Sequence, residues 1–348
     1  MTALSLTSAG VRSRLLREEG GPAHQQKRGR VYHRDAGKPL EFADANRDRL
    51  AAGAPGHVSV MPKEVLEYLN VQPGELVVDA TAGEGGHSYE ILKHAPQARV
   101  IALDADPRAV ARARERLASF GARAEVVESN FGELEKVLKH KGIATINKAL
   151  FDLGWNSGQL GDGRGFSFLT DEPLNMSYGK KPASGFTAAE ALNEWDEETL
   201  ANVFYGYAEE RYARRIAKAV VERRAIQPIS TTFELVEIVR DSTPRPYHKG
   251  RTHFATRVFQ ALRMAVNDEL GVITTGVTAA WNHLDVGGRI AVITFHSIED
   301  RAVKRLFADF AKHGGRLVMK KPLVPSRTEI VGNPRARSAK LRVIEKIS

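Results

Sequence analysis

LVVDATAGEGGHS, residues 76–88, decides how this chain is read. Residues 76–81 form a short apolar run of the kind that makes a buried strand. The run passes directly into a glycine cluster, Gly83, Gly85 and Gly86. Glycines let the backbone turn tightly and approach a ligand without side chains in the way. The next segment, SYEILKHA, has helical spacing. Strand, glycine turn and helix in that order predict the first unit of a ligand-binding α/β sheet.

The same rhythm continues outward. ARVIALDAD (98–106) predicts a second strand, and Pro107 suits the first turn of the amphipathic helix over AVARARERLASF (109–120). AEVVESNF (124–131) and KALFDLG (148–154) predict strands three and four. Such alternation argues for a mostly parallel sheet covered on both faces, with strand-end loops gathered at one rim. Upstream, VMPKEVLEYL (60–69) reads as a helix that ends at Asn70, before a turn at Pro73-Gly74. Between about 163 and 250 the rhythm breaks. TAAEALNEW, ETLANVFYGYAEERYARRIAKAVVERR and TTFELVEIVR all carry helical patterns. After a helix over 255–270, a strand is predicted at 287–297. GRLVMKK and AKLRVIEKI predict an antiparallel edge, and PRARS a turn before the last strand. The expected division is a flexible basic extension (1–55), a core in two parts (56–162 and 251–348) and an inserted helical domain that recognises substrate (163–250).

Charge and composition narrow the classes. The formal charge of +9 favours a polyanionic partner without naming one. Cysteine is absent, which excludes disulfides, thiolate metal sites and cysteine nucleophiles. No apolar run is long enough for a membrane-spanning helix, the N-terminus lacks a secretory pattern, and a cytoplasmic protein is expected. Lys27, Arg28 and Arg30 lie in a stretch that reads as a solubilising tail, with an RNA-contacting arm as the alternative.

Asp104 ends the second strand, eighteen residues beyond Gly86, where a carboxylate can accept hydrogen bonds from ribose hydroxyls. The loop AGEGGH does not match G-x-G-x-x-G in register, and Glu84 would sit awkwardly beside a pyrophosphate. A sulfonium cofactor, S-adenosylmethionine, carries no phosphate to repel. At this level a nicotinamide or flavin site and a purely architectural loop stay open. Asp152 at the end of strand four, Phe131 after strand three and Gln159 in the following loop could face the same crevice. Each could equally be a helix cap, a core aromatic and an exposed amide.

Longer stretches say more. DATAGEGGHS (79–88), DLG…QL (152–160), RGFSF (164–168), YGYAEERYARRIAKAVVERR (205–224), THFATRVFQALRMAVNDEL (252–270), GGRIAVITFHSIEDRAVKRLF (287–307) and NPRARSAKLR (333–342) run in one order. Together they resemble the bacterial ribosomal RNA small-subunit methyltransferase H family, also called MraW, from about residue 57 nearly to the C-terminus. The resemblance implies a Rossmann-like S-adenosylmethionine-dependent methyltransferase core with an inserted helical domain. It implies methyl transfer from S-adenosylmethionine to the exocyclic N4 of a decoding-centre cytidine of 16S rRNA, within the small ribosomal subunit. The family's cofactor contacts fall on Gly85, Gly86, His87, Asp104, Phe131, Asp152 and Gln159, all present. The chain departs from the family at Trp155, Asn156 and Gly158, at Asn175 and Ser177, and at Phe254, where the usual residue is proline.

Methyl transfer to an amine is an in-line displacement that needs positioning and no metal. Cytosine N4 is a weak nucleophile, so acceptors aimed at its hydrogens would help. Asp152 is the first candidate, followed by Asn156 and Asn175. His253, Arg257 and His296 are candidates for orienting the nucleotide. Arg214 and Arg215, with Arg223 and Arg224, are candidates for the RNA backbone, or simply a solvated basic face. His57, His87, His253 and His296 are scattered without ligand spacing, so no metal is expected. An apolar face of the insertion could bury internally or in a homodimer. Methylation of another RNA site, or a ribosome-assembly factor with weak catalysis, are the alternative functions.

Overall fold

The computed structural model describes residues 58–153, 163–250 and 252–348. The basic extension with Lys27, Arg28 and Arg30, and the expected site residues Asn156 and Gln159, lie outside the described residues, as do His57, Trp155 and Gly158.

After helix α1 (Pro62–Leu69), strand and helix alternate: β1 (Leu76–Asp79), α2 (Gly86–His94), β2 (Arg99–Asp104), α3 (Pro107–Leu117), β3 (Ala124–Glu128), α4 (Leu134–His140) and β4 (Ile146–Asp152). The helical region holds α5 (Ala188–Glu194), α6 (Glu197–Ala208), α7 (Ala213–Arg224), α8 (Thr232–Ser242) and α9 (Thr256–Val266). The chain then returns through α10 (Glu269–His283), β5 (Leu284–Thr294), α11 (Ser297–Phe310), β6 (Gly315–Leu317), α12 (Arg327–Gly332) and β7 (Lys340–Lys346).

The seven strands are ordered β3-β2-β1-β4-β5-β7-β6, with β1 to β5 parallel and β7 antiparallel to both its neighbours. The two late strands thus form the antiparallel side, but β7 inserts between β5 and β6 rather than lying outermost. The order reverses between β1 and β4, which opens a crevice at the C-terminal ends of these strands.

Period-two alternation buries both faces of the sheet. Val78, Ile101, Leu103, Ala149, Phe151, Ile290 and Val292 point into one core, while Val77, Val100, Ala102, Leu150, Ala291 and Ile293 point into the other. The first core runs on without a break through Leu192, Phe204, Ile216, Leu235 and Leu262, so the helical region shares its interior with the sheet. The second is closed by Leu69 of α1, Ile91 of α2 and Leu117 of α3. Among the described residues no helix is long and apolar enough to cross a membrane.

Two continuous helical patterns prove to be broken. The run 198–224 divides at Glu209, whose φ of 51° is left-handed, and the buried Glu210 turns aside to accept from Tyr212 N–H and Tyr247 O–H. The run 255–270 divides at Asp268 (φ 46°), directly after Asn267, whose side chain bonds Met176 O and Tyr178 N–H. The expected strand 287–297 occupies 284–294, since His296 leaves the sheet to cap α11.

Candidate active site

The glycine turn is built by backbone geometry. Gly85 N–H bonds Ala82 O at 2.7 Å, and Gly85 itself caps α2 with φ 78° and ψ 19°. That left-handed conformation favours glycine, and a Cβ there would also crowd Leu117 at 3.3 Å. Asp104 holds the turn from the next strand. Its Oδ2 accepts from Gly83 N–H and its Oδ1 from Asp106 N–H, both at 2.8 Å. Each oxygen keeps a further lone-pair site for a ligand hydroxyl. Burial, reinforced by the nearby carboxylates of Asp106 and Asp79, pushes the Asp104 carboxyl up to about 6 despite these donors.

Under the turn lies a polar cluster. Asp79 is fully buried, accepts from Ser88 Oγ–H at 2.6 Å and from Thr81 N–H at 3.3 Å, and is raised above its ordinary value by burial. Thr81 Oγ1 accepts from Asp152 N–H at 2.6 Å, tying the end of β4 to the loop after β1. His87 Nε2 stands 3.5 Å from Asp152 Oδ2 and has no well-formed hydrogen bond although it is buried. A buried polar atom on the cavity wall suits a polar ligand group that completes it.

Phe131 opens a single turn after β3, with its ring edge-on to Phe151 at 5.6 Å. Helix α10 lies directly over it. A Cβ at Gly276 would come within 2.6 Å of the Phe131 ring and 2.8 Å of its carbonyl oxygen, so glycine permits this close approach. With Val272 and Ile273, Phe131 makes an apolar wall suited to a flat aromatic ring.

Tyr178, held by the segment from 164 to 180, adds to the wall. Arg164 donates to Asp106 Oδ2 at 2.8 Å and to Tyr178 O at 2.7 Å, and Tyr178 stacks on Phe166 at 5.4 Å. Tyr178 O–H donates to Glu269 Oε1, which also receives Arg263 Nε at 2.8 Å, while Arg263 Nη2 donates to Glu269 Oε2 at 3.1 Å. Burial acts to lower the Arg263 pKa, but Glu269 outweighs it and the group is held above its ordinary value. Among the described residues, Glu269, His296 and Glu299 bring atoms able to ligate a metal within 4.8 Å of one another. Arg263 already supplies the positive charge there and engages both Glu269 oxygens, so the group is an ion-pair network.

One cavity therefore gathers Gly86, His87, Asp104, Phe131 and Asp152, all expected, with Gly85 in the turn beside it. It also takes in Asn130, Tyr178, Asn267, Glu269 and Glu299, which sequence reasoning did not single out. Other expected residues stand apart. Asn175 is exposed and outside the lining, its Oδ1 accepting from Ser177 N–H to hold a local bend. His296 caps α11 next to Glu299 without lining the cavity. His253 stacks on Phe168 with centroids 4.4 Å apart, and burial and then His248 lower its pKa. Arg257 donates to Glu209 O at 2.5 Å. Arg214 and Arg215 are exposed on α7, whereas Arg224 donates to Leu192 O and Arg223 to Gln227 O, both serving the fold.

The cavity's groups fit S-adenosylmethionine: a carboxylate at β2 for ribose and an apolar wall for adenine, while Glu84 of the turn pairs with Arg112 at 3.1 Å outside the lining. A family model described as the MraW methylase family matches residues 54–347. The ribosomal RNA small subunit methyltransferase H of Brevibacillus brevis is 42% identical over 309 residues, covering 84% of this chain and 98% of its own. The proteins of that name from Geobacter sulfurreducens (45% identical, 84% and 99% covered) and Leptospira interrogans (46%, 84% and 89%) match similarly. Identity of this size over nearly the whole length of the relatives agrees with the cavity's chemistry. The chain belongs to the MraW methylase family and is an S-adenosylmethionine-dependent methyltransferase.

Proposed function

We propose that this enzyme methylates the exocyclic N4 of a decoding-centre cytidine in the small-subunit ribosomal RNA, in the cytoplasm. The observation that supports this most is the cavity at the ends of β1, β2 and β4, where the cofactor set meets further carboxylates suited to an amine. The relatives' shared name, with its ribosomal RNA small subunit, supplies the substrate class. S-adenosylmethionine, when bound, supplies the electrophilic methyl group. Asp104 holds the ribose, Phe131 packs on adenine, and Asp152 faces the reacting region from the end of β4. The helical region 163–250, with Arg214 and Arg215 exposed, serves RNA recognition. The target base must be unstacked to enter the cavity.

Transfer of labelled methyl to RNA of unmethylated small subunits tests this reading. Asp152→Ala should slow single-turnover transfer about 100-fold while leaving subunit affinity within about twofold, and normal transfer by the variant removes Asp152 from the mechanism.

The raised Asp104 carboxyl predicts a pH dependence. Ribose hydroxyls donate best to the ionised form, so protons compete with the cofactor. Cofactor affinity should hold above about 6 and fall as pH drops through that value. For folding the sign is opposite. A carboxyl raised in the folded state favours folding below its unfolded value, and that contribution is lost as pH rises from about 4 through about 6. Calorimetric cofactor titrations at about pH 5 and about pH 7.5 check the binding limb, and equal affinities contradict it.

A further inference from the structure

We propose that Glu299 is the group that receives the exocyclic amino group of the target cytosine and takes the proton that leaves it. This rests on the cytosine reading above and deepens it. Glu299 lies in the first turn of α11, just beyond β5, the strand paired with β4 and its terminal Asp152. Asp104 stands at the end of β2, three strands away in the order β2-β1-β4-β5. With the ribose held at the β2 end, the β5 end is left to the methyl acceptor.

A carboxylate only 2% exposed is costly to keep charged unless it is held by donors. Here Oε2 accepts from Phe295 N–H at 2.9 Å and His296 N–H at 3.3 Å. Burial alone would raise this carboxyl, but His296, the Phe295 N–H and Arg263 outweigh it and hold it below the usual range. Oε1 lies 3.0 Å from His296 Nε2, yet that nitrogen makes no well-formed hydrogen bond. Beside this ion-pair partner Oε1 keeps one further lone-pair site, and Glu299 lines the cavity. Glu269 differs, because Arg263 and Tyr178 already engage its oxygens.

The chemistry follows from the amine. An N–H donated to an anion loosens the lone pair's conjugation with the ring and stabilises the positive charge that develops on nitrogen. The N–CH3 bond forms as the S–CH3 bond breaks, and the bonding pair stays on sulfur. The N4 proton passes to Glu299 Oε1 and then to solvent. A uracil would turn a carbonyl oxygen toward the same carboxylate, acceptor against acceptor, so the site selects cytosine.

Glu299→Gln keeps the capping position, which glutamine serves as well as glutamate, and removes the charge and basicity together with the ion pair to His296. Single-turnover transfer to unmethylated small subunits should fall about 100-fold. Cofactor affinity, read by calorimetry, should stay within about threefold, which also shows that the variant is folded. Should the glutamine variant not fold, Glu299→Asp keeps the charge but withdraws it by one methylene, with a loss of at least about tenfold. Wild-type rates in either folded variant overturn the proposal, provided the parent enzyme forms N4-methylcytidine. A parent product on another atom overturns the cytosine reading and this proposal with it.

Discussion

Asp104→Ala is expected to weaken S-adenosylmethionine binding about 100-fold, or ~3 kcal/mol, the worth of two hydrogen bonds from ribose hydroxyls to a carboxylate. The loss has a second source. The same carboxylate accepts the N–H groups of Gly83 and Asp106, so alanine also frees the glycine turn that shapes the cavity. Asp104→Asn keeps acceptor capacity on one atom and should fall between the two. Isothermal calorimetry on the three proteins checks the order. An alanine variant with parental affinity contradicts the placement of ribose at β2.

The largest expected effect on stability comes from Arg263. Its side chain is 14% exposed and that of Glu269 10%, and their two hydrogen bonds link α9 to the start of α10. Arg263→Met leaves Glu269 charged in a largely buried place, and breaking such a pair by removing one partner costs about 3–5 kcal/mol. The Tyr178 contact to Glu269 loosens with it, so the wall over the cavity suffers too. Denaturant unfolding should show a lower midpoint with an unchanged slope. Adding Glu269→Gln should recover part of the loss, because the orphaned charge is gone. A midpoint close to the parent's would show that the pair contributes little.

Most of the sheet was legible because its signals are local. The strands β1 to β3 lie within the expected apolar runs, β4 overlaps its run but starts two residues earlier at Ile146, and Asp104 stands at the end of its strand. The missed half of the cavity comes from contacts distant in sequence. Glu269 enters it where Asp268 breaks a pattern that reads as one helix, next to Asn267, whose side chain reaches Met176, 91 residues away. An Asn-Asp pair inside an otherwise regular helix was the available signal. Glu299 was also within reach, since it follows the capping residue His296 by three positions as a capping box requires. Asn175 lies outside the cavity lining for the opposite reason: its short side chain accepts from the adjacent backbone.

The reaction proposed for this enzyme is methyl transfer to a cytosine amine of small-subunit RNA. Its most direct test is to incubate the purified enzyme and S-adenosylmethionine with unmethylated small subunits, then digest the RNA and locate the product by mass spectrometry at nucleotide resolution. N4-methylcytidine at the decoding-centre cytidine is the predicted result. A methyl group on another atom or position, or none despite tight cofactor binding, would contradict it.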